Sequence, residues 1–330
     1  MTTLPGASGL GAIRHATIMS VASELPPGRL TNAELASQLG IEEEWILSRT
    51  GIRERRRAGP DERLTDYAIR AGAAALERAG VEATELDLVI VATMTQDELT
   101  PNTAPLVAHA LGATRAGGFD VGAACTAFLT GLSIGAAQIE SGRARRVLLV
   151  GADFITRITN YEDRRSAPLF ADGAGAVVLG EARDGGAPIG PIVLGTDGSH
   201  GDAITASHED RKLHMDGPEV FRHAVTRMSE VTVQAVAQAG LELSDIDLFV
   251  YHQANARITR ALRERLNLPA ERVVDCIEML GNSSASTLPL ALAFAERDGR
   301  LRPGTRVLIS AFGAGFTWGG GVIVWGGPRA

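Results

Sequence analysis

The 330-residue chain carries the same pattern twice, 160 residues apart. Residues 79–82 (AGVE) and 85–91 (ELDLVIV) match residues 239–242 (AGLE) and 245–251 (DIDLFVY). Each copy predicts an amphipathic helix that ends at a glycine, a short acidic turn and an apolar strand. A fold made of two similar α/β halves would explain this repetition.

Three further matches extend the repeat. They pair 146–150 (RVLLV) with 306–310 (RVLIS), 141–143 (SGR) with 298–300 (DGR) at an offset of 157, and 175–180 (GAVVLG) with 321–326 (GVIVWG). Helices that alternate with continuously apolar strands predict sheets covered on both faces. We therefore predict an α/β fold with two duplicated halves, residues 1–185 and 186–330, separated where 183–186 (RDGG) breaks the pattern.

Composition excludes several classes of protein. An apolar fraction of 45% and a charged fraction of 22% are ordinary for a soluble globular chain. The net charge of -7 gives no support for a nucleic-acid or acidic-lipid partner. Two cysteines argue against a disulfide framework and favour a reducing, cytoplasmic setting, and the first thirty residues predict no signal peptide. The uncharged stretch 121–139 predicts a central buried helix better than a membrane span.

Cys125 is the candidate nucleophile of the first half. It follows the strand-like run 117–121 (GGFDV) and precedes 126–139, which is long enough for a helix of about four turns. A thiol at a helix N-terminus faces free backbone N–H groups and the positive end of the helix dipole, which favour the thiolate. The alternative is a small buried apolar residue, which most lone intracellular cysteines are. This segment alone leaves both interpretations open.

The second half offers an imidazole and a carboxamide. His252 ends the strand 248–251, and Asn282 lies in a polar turn (GNSSAST) before an apolar helix. Taken singly, they fit a structural histidine and a helix N-cap equally well. The 157-residue offset pairs Cys125 with Asn282, and the 160-residue offset pairs His252 with Ala92. Ligand sites of α/β sheets gather where strands end and helices begin, so a pseudo-twofold pair of halves would bring these ends to one pocket.

Several motifs together resemble the β-ketoacyl-acyl carrier protein synthase III family, the initiating condensing enzymes of the thiolase superfamily. They are Cys125, 252–258 (HQANARI), 281–286 (GNSSAS), 316–319 (FTWG), 45–52 (WILSRTGI) and 170–176 (FADGAGA). The resemblance covers nearly the whole chain. It implies a thiolase-like fold with layers in the order α-β-α-β-α.

The resemblance also implies a catalytic triad of Cys125, His252 and Asn282. An acyl-CoA primer would acylate the cysteine, and malonyl-acyl carrier protein would then lose carbon dioxide and attack the acyl group. His252 and Asn282 would stabilise the developing oxyanion at the malonyl thioester, while the backbone N–H groups of Cys125 and Ala314 would form a second oxyanion hole. This chemistry needs no metal, nicotinamide or flavin, and we expect none of these cofactors.

Binding residues follow from the same resemblance. Trp45 and Arg49 match positions that pack around the adenine end of coenzyme A, and Arg164 matches a further basic contact. Without the resemblance, Trp45 would be interpreted as a helix-face core residue.

A run of arginines on one predicted helix is the candidate carrier-protein surface. Arg257, Arg263 and Arg265, with Arg260 between them, predict one basic helix face, which is usually only solvated. In this family the face borders the pocket mouth and can meet the acidic carrier protein, with Arg257 the strongest candidate.

Two positions depart from the family pattern. Thr100 stands where bacterial members often carry a phenylalanine that closes the acyl pocket from the partner subunit of a homodimer. We therefore predict a primer that is longer than acetyl, branched or functionalised. Thr126 follows the nucleophile where alanine is usual, so its hydroxyl could adjust the pocket. The histidine-bearing segment 197–212 predicts an exposed loop, because its spacing does not fit a tetrahedral zinc motif.

Alternatives remain within and outside this reaction. A priming ketosynthase or acyltransferase of a polyketide or secondary pathway would share the triad. A degradative thiolase would need a second cysteine near the C-terminal glycines, and 312–321 has none. A non-catalytic partner subunit would be expected to lose the nucleophile, whereas all three triad residues are present. The primer, the carrier protein, the acceptor and the pathway stay open.

Overall fold

Two large sheets dominate the fold of the chain. The computed structural model describes residues 14–182 and 186–327, so the chain start and most of the predicted break at 183–186 lie outside the described residues. The strands are β1 (Ala16–Glu24), β2 (Arg29–Thr31), β3 (Glu54–Arg56), β4 (Leu88–Ala92), β5 (Gly117–Val121), β6 (Arg146–Phe154), β7 (Asp172–Glu181), β8 (Ile189–Thr196), β9 (Ile204–Ala206), β10 (Leu213–Met215), β11 (Leu248–Tyr251), β12 (Arg306–Gly313) and β13 (Thr317–Val324). The α-helices are α1 (Asn32–Leu39), α2 (Glu43–Thr50), α3 (Leu64–Ala79), α4 (Thr103–Leu111), α5 (Ala127–Glu140), α6 (Gly217–Gln238), α7 (Ala256–Arg265), α8 (Ile277–Leu280) and α9 (Thr287–Arg297).

The two sheets repeat one topology. The first has the order β1-β7-β6-β4-β5 and the second the order β11-β12-β13-β8. The parallel pair β4 and β6 corresponds to the parallel pair β11 and β12, and each continues into two antiparallel strands. The first sheet adds β5 as a parallel edge strand, and a single bridge between Phe249 and Val273 takes its place in the second. The duplication predicted from the sequence is therefore present in the fold.

Helices cover and separate the sheets. On the outer face of the first sheet, α3 packs on β1, β6 and β7, and on the outer face of the second, α6 packs on β8, β12 and β13. Between the sheets lie α5, which contacts both, and α9, which contacts β1, β7 and β11. Three separate apolar clusters fill the spaces between these layers. This arrangement confirms the predicted α-β-α-β-α order.

The central helix α5 is rich in small residues because it packs closely on a sheet. A Cβ at Gly131 would lie 2.6 Å from Leu149 Cδ1, and one at Gly135 would lie 2.7 Å from Leu179 Cδ1. The stretch thus forms a buried helix, as its composition predicts. Among the described helices, none combines the length and the apolar character that crossing a membrane requires.

The structure corrects one detail of the repeat. Short 3₁₀ turns at Ala124–Thr126 and Ser284–Ser286 precede α5 and α9, and Ala124 and Ser284 adopt left-handed backbone angles with φ of 45° and 52°. Cys125 therefore corresponds to Ala285, and its pairing with Asn282 was wrong. The offset falls to 157 residues only after these helices, because α9 with 11 residues is shorter than α5 with 14.

Candidate active site

The three predicted catalytic side chains lie on the wall of one cavity of about 1110 Å³. Cys125 comes from the first half, and His252 and Asn282 come from the second. The imidazole and the carboxamide are buried, while Cys125 keeps partial exposure to the cavity. The end of strand β11 and the starts of helices α5 and α9 thus meet at one place, which agrees with the expectation that strand ends and helix starts form the site.

Backbone packing fixes the position of Cys125. The residue lies in the 3₁₀ turn before α5, directly against the end of β12. A Cβ at Gly313 would lie 2.9 Å from the Cys125 nitrogen and 3.0 Å from its Cβ. Only glycine allows this approach, and it brings the backbone of Ala314, which lines the cavity, next to Cys125.

The surroundings of the Cys125 thiol disfavour its ionised form. The pKa of Cys125 is raised to about 12, chiefly by burial and to a lesser extent by the charge of Asp153, against the opposing effect of a hydrogen bond with Ser284. The sequence predicted a favoured thiolate from the helix N-terminus alone. That prediction leaves out desolvation, which acts in the opposite direction and outweighs the stabilising contacts. A nucleophile at this position needs a proton acceptor nearby.

His252 is held as a neutral imidazole. It directly follows β11, and its backbone N–H donates to the Ser310 carbonyl at 2.8 Å. Burial lowers its pKa to about 3. Nδ1 lies 2.6 Å from Thr287 Oγ1, and Thr287 Oγ1 also donates to the Ser284 carbonyl at 3.0 Å. Nε2 is therefore the ring nitrogen left for a reactant, and no sequence motif indicates the contact with Thr287.

Asn282 presents its amide nitrogen. Its Oδ1 accepts a hydrogen bond from the Ser284 backbone N–H at 2.9 Å, which sets the rotation of the carboxamide. Its own backbone bonds to Leu169 and Ala171 at 2.8 and 2.9 Å. Within residues 14–182 and 186–327, Nδ2 has no hydrogen-bond partner. Asn282 can therefore donate to a group in the cavity.

Asp153 is a second residue of the site that no sequence motif indicates. It is fully buried, and it accepts hydrogen bonds from the Met94 backbone and the Thr95 hydroxyl, both at 2.9 Å. Its other oxygen accepts from the backbone N–H of Ala285 at 3.1 Å. At an offset of 160 residues it corresponds to Gly313, the glycine that packs on Cys125. A lone acid inside an apolar strand carries no sequence pattern that would indicate this anchor.

Two of the three predicted coenzyme A residues line the cavity. Trp45 and Arg49 both line it, and the Arg49 guanidinium carbon lies 5.7 Å from the Trp45 ring centroid. Arg164 is exposed and does not line the cavity, whereas its neighbour Arg165 does. The chain bends here through a turn, so adjacent side chains point in different directions.

The arginines of α7 do not form the single face that was predicted. Arg257 lines the mouth, with its guanidinium carbon 5.5 Å from the Phe221 ring centroid. Arg263 and Arg265 lie outside the cavity lining. Residues two positions apart on an α-helix are rotated by about 200° about the helix axis, so Arg263 and Arg265 point to nearly opposite sides.

The two departures from the family pattern lie in different surroundings. Thr100 is exposed in the loop after β4 and does not line the cavity of its own chain. Thr126 is buried, and its hydroxyl bonds to the Ala123 carbonyl and to Thr317 Oγ1, both at 2.8 Å. Thr126 therefore fastens the nucleophile turn to β13 and does not line the pocket.

Comparison with known proteins gives consistent matches. Residues 119–198 match the family model described as 3-oxoacyl-[acyl-carrier-protein] synthase III, and residues 236–325 match the model of its C-terminal part. A β-ketoacyl-[acyl-carrier-protein] synthase III of Listeria welshimeri is 43% identical over 312 residues, which cover 94% of this chain and 99% of the relative.

Solved structures agree. The 3-oxoacyl-(acyl carrier protein) synthase III of Pseudomonas aeruginosa superposes with a TM-score of 0.91 at 41% identity, covering 96% of this chain and all of that one. The priming β-ketosynthase of the R1128 polyketide pathway gives 0.92 at 39% identity, covering 97% and 100%. The chain therefore belongs to the β-ketoacyl-acyl carrier protein synthase III family of condensing acyltransferases, and has its thiolase-type fold.

Proposed function

We propose that an acyl-CoA primer acylates Cys125 in the first half-reaction. The thiol proton passes to His252 Nε2 while the sulfur bonds to the carbonyl carbon of the thioester. Collapse of this adduct breaks the carbon–sulfur bond to coenzyme A, whose sulfur takes the proton back from His252. The resting pair of a protonated thiol and a neutral imidazole supports this order, because His252 can accept a proton only while it is uncharged.

In the second half-reaction, malonyl-acyl carrier protein extends the acyl group. The bond between its α-carbon and its carboxylate breaks, carbon dioxide leaves, and the electron pair forms an enolate at the thioester. The α-carbon then attacks the acyl carbonyl, and the Cys125 sulfur leaves as a thiolate that takes up a proton. His252 and Asn282 would donate to the enolate oxygen, and the N–H groups of Cys125 and Ala314 would donate to the acyl oxyanion.

The meeting of Cys125, His252 and Asn282 on one cavity wall carries this proposal. Intact-protein mass spectrometry after incubation with a panel of acyl-CoAs tests it, since the added mass identifies the primer. The expected result is one acyl group per chain, released when malonyl-acyl carrier protein is added. A chain that no acyl-CoA modifies would refute the proposed first half-reaction.

The same cavity suggests how the two substrates enter. Trp45, Arg49 and Arg165 would bind the nucleotide end of coenzyme A, with the exposed Arg164 beside them. Arg257 at the mouth would meet the carrier protein, whose acidic surface suits a basic rim. Arg263 and Arg265 would contact it only at the periphery. Nothing in the proposed chemistry requires a metal, nicotinamide or flavin.

Thr287 is expected to set the tautomer of His252. When its hydroxyl donates to the Ser284 carbonyl, Nδ1 carries the ring proton and Nε2 is bare, as a base must be. When the hydroxyl instead donates to Nδ1, Nε2 carries the proton, as an oxyanion donor must. A rotating hydroxyl can therefore serve both half-reactions.

Replacing Thr287 with valine removes this hydroxyl and leaves Nδ1 without its partner. We expect kcat for condensation to fall by about 10- to 100-fold, the range seen when the partner of a functional histidine is removed, with little change in KM for acyl-CoA. Thr287→Ser should restore most of kcat. Steady-state kinetics and a thermal melt of both variants separate this role from loss of folding. Full activity of Thr287→Val, or equal damage by serine, would contradict it.

We propose a homodimer in which the loop around Thr100 reaches the partner's acyl pocket. The exposed edge strand β5, its Phe119 at 36% exposure and Leu99 at 82% support such an interface, since unpaired edges and exposed apolar groups are usually covered. Molar mass from light scattering tests the dimer. Threonine at this position leaves room for a primer longer than acetyl.

Thr100→Phe is therefore expected to shorten the accepted primer. The ratio of acylation rates for medium-chain acyl-CoA over acetyl-CoA should fall by about 10-fold or more, because loss of room for a few methylenes has an effect of this size. Thr114→Phe, which adds the same ring at another exposed threonine, is the control. Strict acetyl preference in the unmodified enzyme would rule out the proposed role of Thr100.

A priming ketosynthase of a polyketide pathway is the second candidate function. The likeness to the R1128 enzyme favours it as strongly as other structures favour fatty-acid initiation. An unusual starter mass or an acceptor other than malonyl-acyl carrier protein would distinguish the two. We also propose a cytoplasmic setting, supported by the free thiols of Cys125 and Cys276, and a division into units 1–185 and 186–330, supported by the strand membership of the two large sheets.

A further inference from the structure

Two histidines and a glutamate converge outside the triad. His200 lies in the 3₁₀ segment Gly198–Ala203, while Glu219 and His223 are four residues apart in the first turns of α6. Their candidate donor atoms all lie within 4.8 Å of one another. The histidine spacing within residues 197–212 does not fit a tetrahedral zinc motif by itself, so the sequence predicts no metal there. The fold brings two further candidate metal ligands, both from helix α6, next to His200.

The distances suit a small metal ion. Glu219 Oε1 lies 3.0 Å from His223 Nε2 and 3.5 Å from His200 Nδ1. In a tetrahedral site with bonds of about 2.0–2.1 Å, neighbouring ligand atoms are about 3.3 Å apart. Two imidazoles and a carboxylate form a donor set that suits zinc and its neighbours in the first transition row.

Packing orients all three side chains before any ion arrives. The imidazoles of His200 and His223 lie 5.1 and 4.8 Å from the ring centroid of buried Phe316, and 4.5 Å from each other. Arg222 forms an ion pair with the second carboxylate oxygen of Glu219, which leaves Oε1 directed at the histidines. Such outer contacts raise metal affinity by fixing the ligands.

We propose that His200, Glu219 and His223 bind one divalent transition-metal ion such as Zn²⁺, with solvent completing the coordination. The ion would join the 3₁₀ segment to the start of α6. Both elements line the catalytic cavity, through Asp202 and Gly217. The metal would therefore stabilise one wall of the substrate cavity. It takes no part in the condensation, so this proposal stands apart from the proposed function.

The same contacts have a simpler explanation, which the test must separate. A protonated histidine would pair with Glu219 as an ion pair without any metal. Both explanations predict that the cluster stabilises the loop. Only the metal site predicts that an added ion binds with defined stoichiometry and requires both imidazoles.

Equilibrium dialysis against Zn²⁺ and Co²⁺ tests the site, with Cys125→Ser as the background so that the active-site thiol cannot bind the ion. We expect one ion per chain, and a loss of affinity of about 100-fold or more in His200→Gln and His223→Gln, since even loss of an outer partner costs about 10- to 100-fold. His208→Gln, an exposed histidine of the same loop, should bind normally. So should His214→Gln, whose residue contacts only Asp210 among the described acidic groups.

Protection of the loop gives an independent readout. Zn²⁺ should slow proteolysis within residues 198–212 and raise Tm in the background protein and in His208→Gln, but not in His223→Gln. Equal binding by all variants would overturn the proposal, as would no binding by any of them. The second result would leave the cluster as a histidine–glutamate ion pair.

Discussion

Replacing Cys125 with serine is expected to abolish acylation by acyl-CoA and to lower condensation by on the order of 10⁴-fold or more, the effect typical of losing a catalytic nucleophile. The hydroxyl of serine is a far weaker nucleophile than a thiol. The buried position disfavours the ionised hydroxyl even more strongly than it disfavours the thiolate. His252 would have to remove a much less acidic proton. Intact-protein mass spectrometry measures the first effect, and a condensation assay with malonyl-acyl carrier protein measures the second.

Cys276→Ser is the matched control. Cys276 is the other cysteine of the chain, and it is buried in the apolar core between the sheets. Its replacement should cost some stability and leave acylation at one group per chain. If Cys125→Ser were acylated to the same mass as the unmodified enzyme, Cys125 could not be the acceptor.

Removing the Asn282 donor is expected to separate the two half-reactions. Asn282→Ala and Asn282→Asp should each lower condensation by about 10²- to 10³-fold, the usual effect of losing one oxyanion donor. Acylation should change little, because it uses His252 and backbone N–H groups. Asn282→Asp keeps the oxygen that accepts from Ser284 and replaces the Nδ2 donor with an acceptor. It therefore tests the donor without removing the turn contact.

Single-turnover measurements distinguish these steps. Acyl-enzyme should form at the normal rate in both Asn282 variants and then persist when malonyl-acyl carrier protein is added. Asn267→Asp makes the same chemical change at an exposed asparagine outside the cavity and should have no effect. Equal loss of acylation and condensation in Asn282→Asp would show that the side chain acts on the fold or on both steps.

The sequence predicted what depends on local patterns and their repetition. Strands and central helices follow from apolar runs that recur along the chain, whereas the layer order was implied by the resemblance to the family. Because strand ends of both halves meet at the pseudo-twofold axis, Cys125, His252 and Asn282 could be expected on one cavity. The contacts that Thr287 and Asp153 make could not be predicted from the sequence, because each contact joins residues that are far apart in the chain.

Other features of the site could not be read from the sequence, for identifiable physical reasons. The protonation state of Cys125 depends on how much protein surrounds the thiol, which the helix N-terminus alone does not indicate. The choice between Arg164 and Arg165 depends on a turn, and a shift of one residue there redirects the side chain. The cluster around Glu219 joins two segments that have no common motif.

Gly313 and Asp153 occupy equivalent positions in the two halves, and each contacts a turn of the other half. The glycine of the second half admits the nucleophile turn of the first, and the aspartate of the first half ties down the corresponding turn of the second. Each half thus holds in place the turn at which a central helix of the other half begins. A mutation at either residue therefore alters a contact with a turn of the other half, which couples the two duplicated units at these positions.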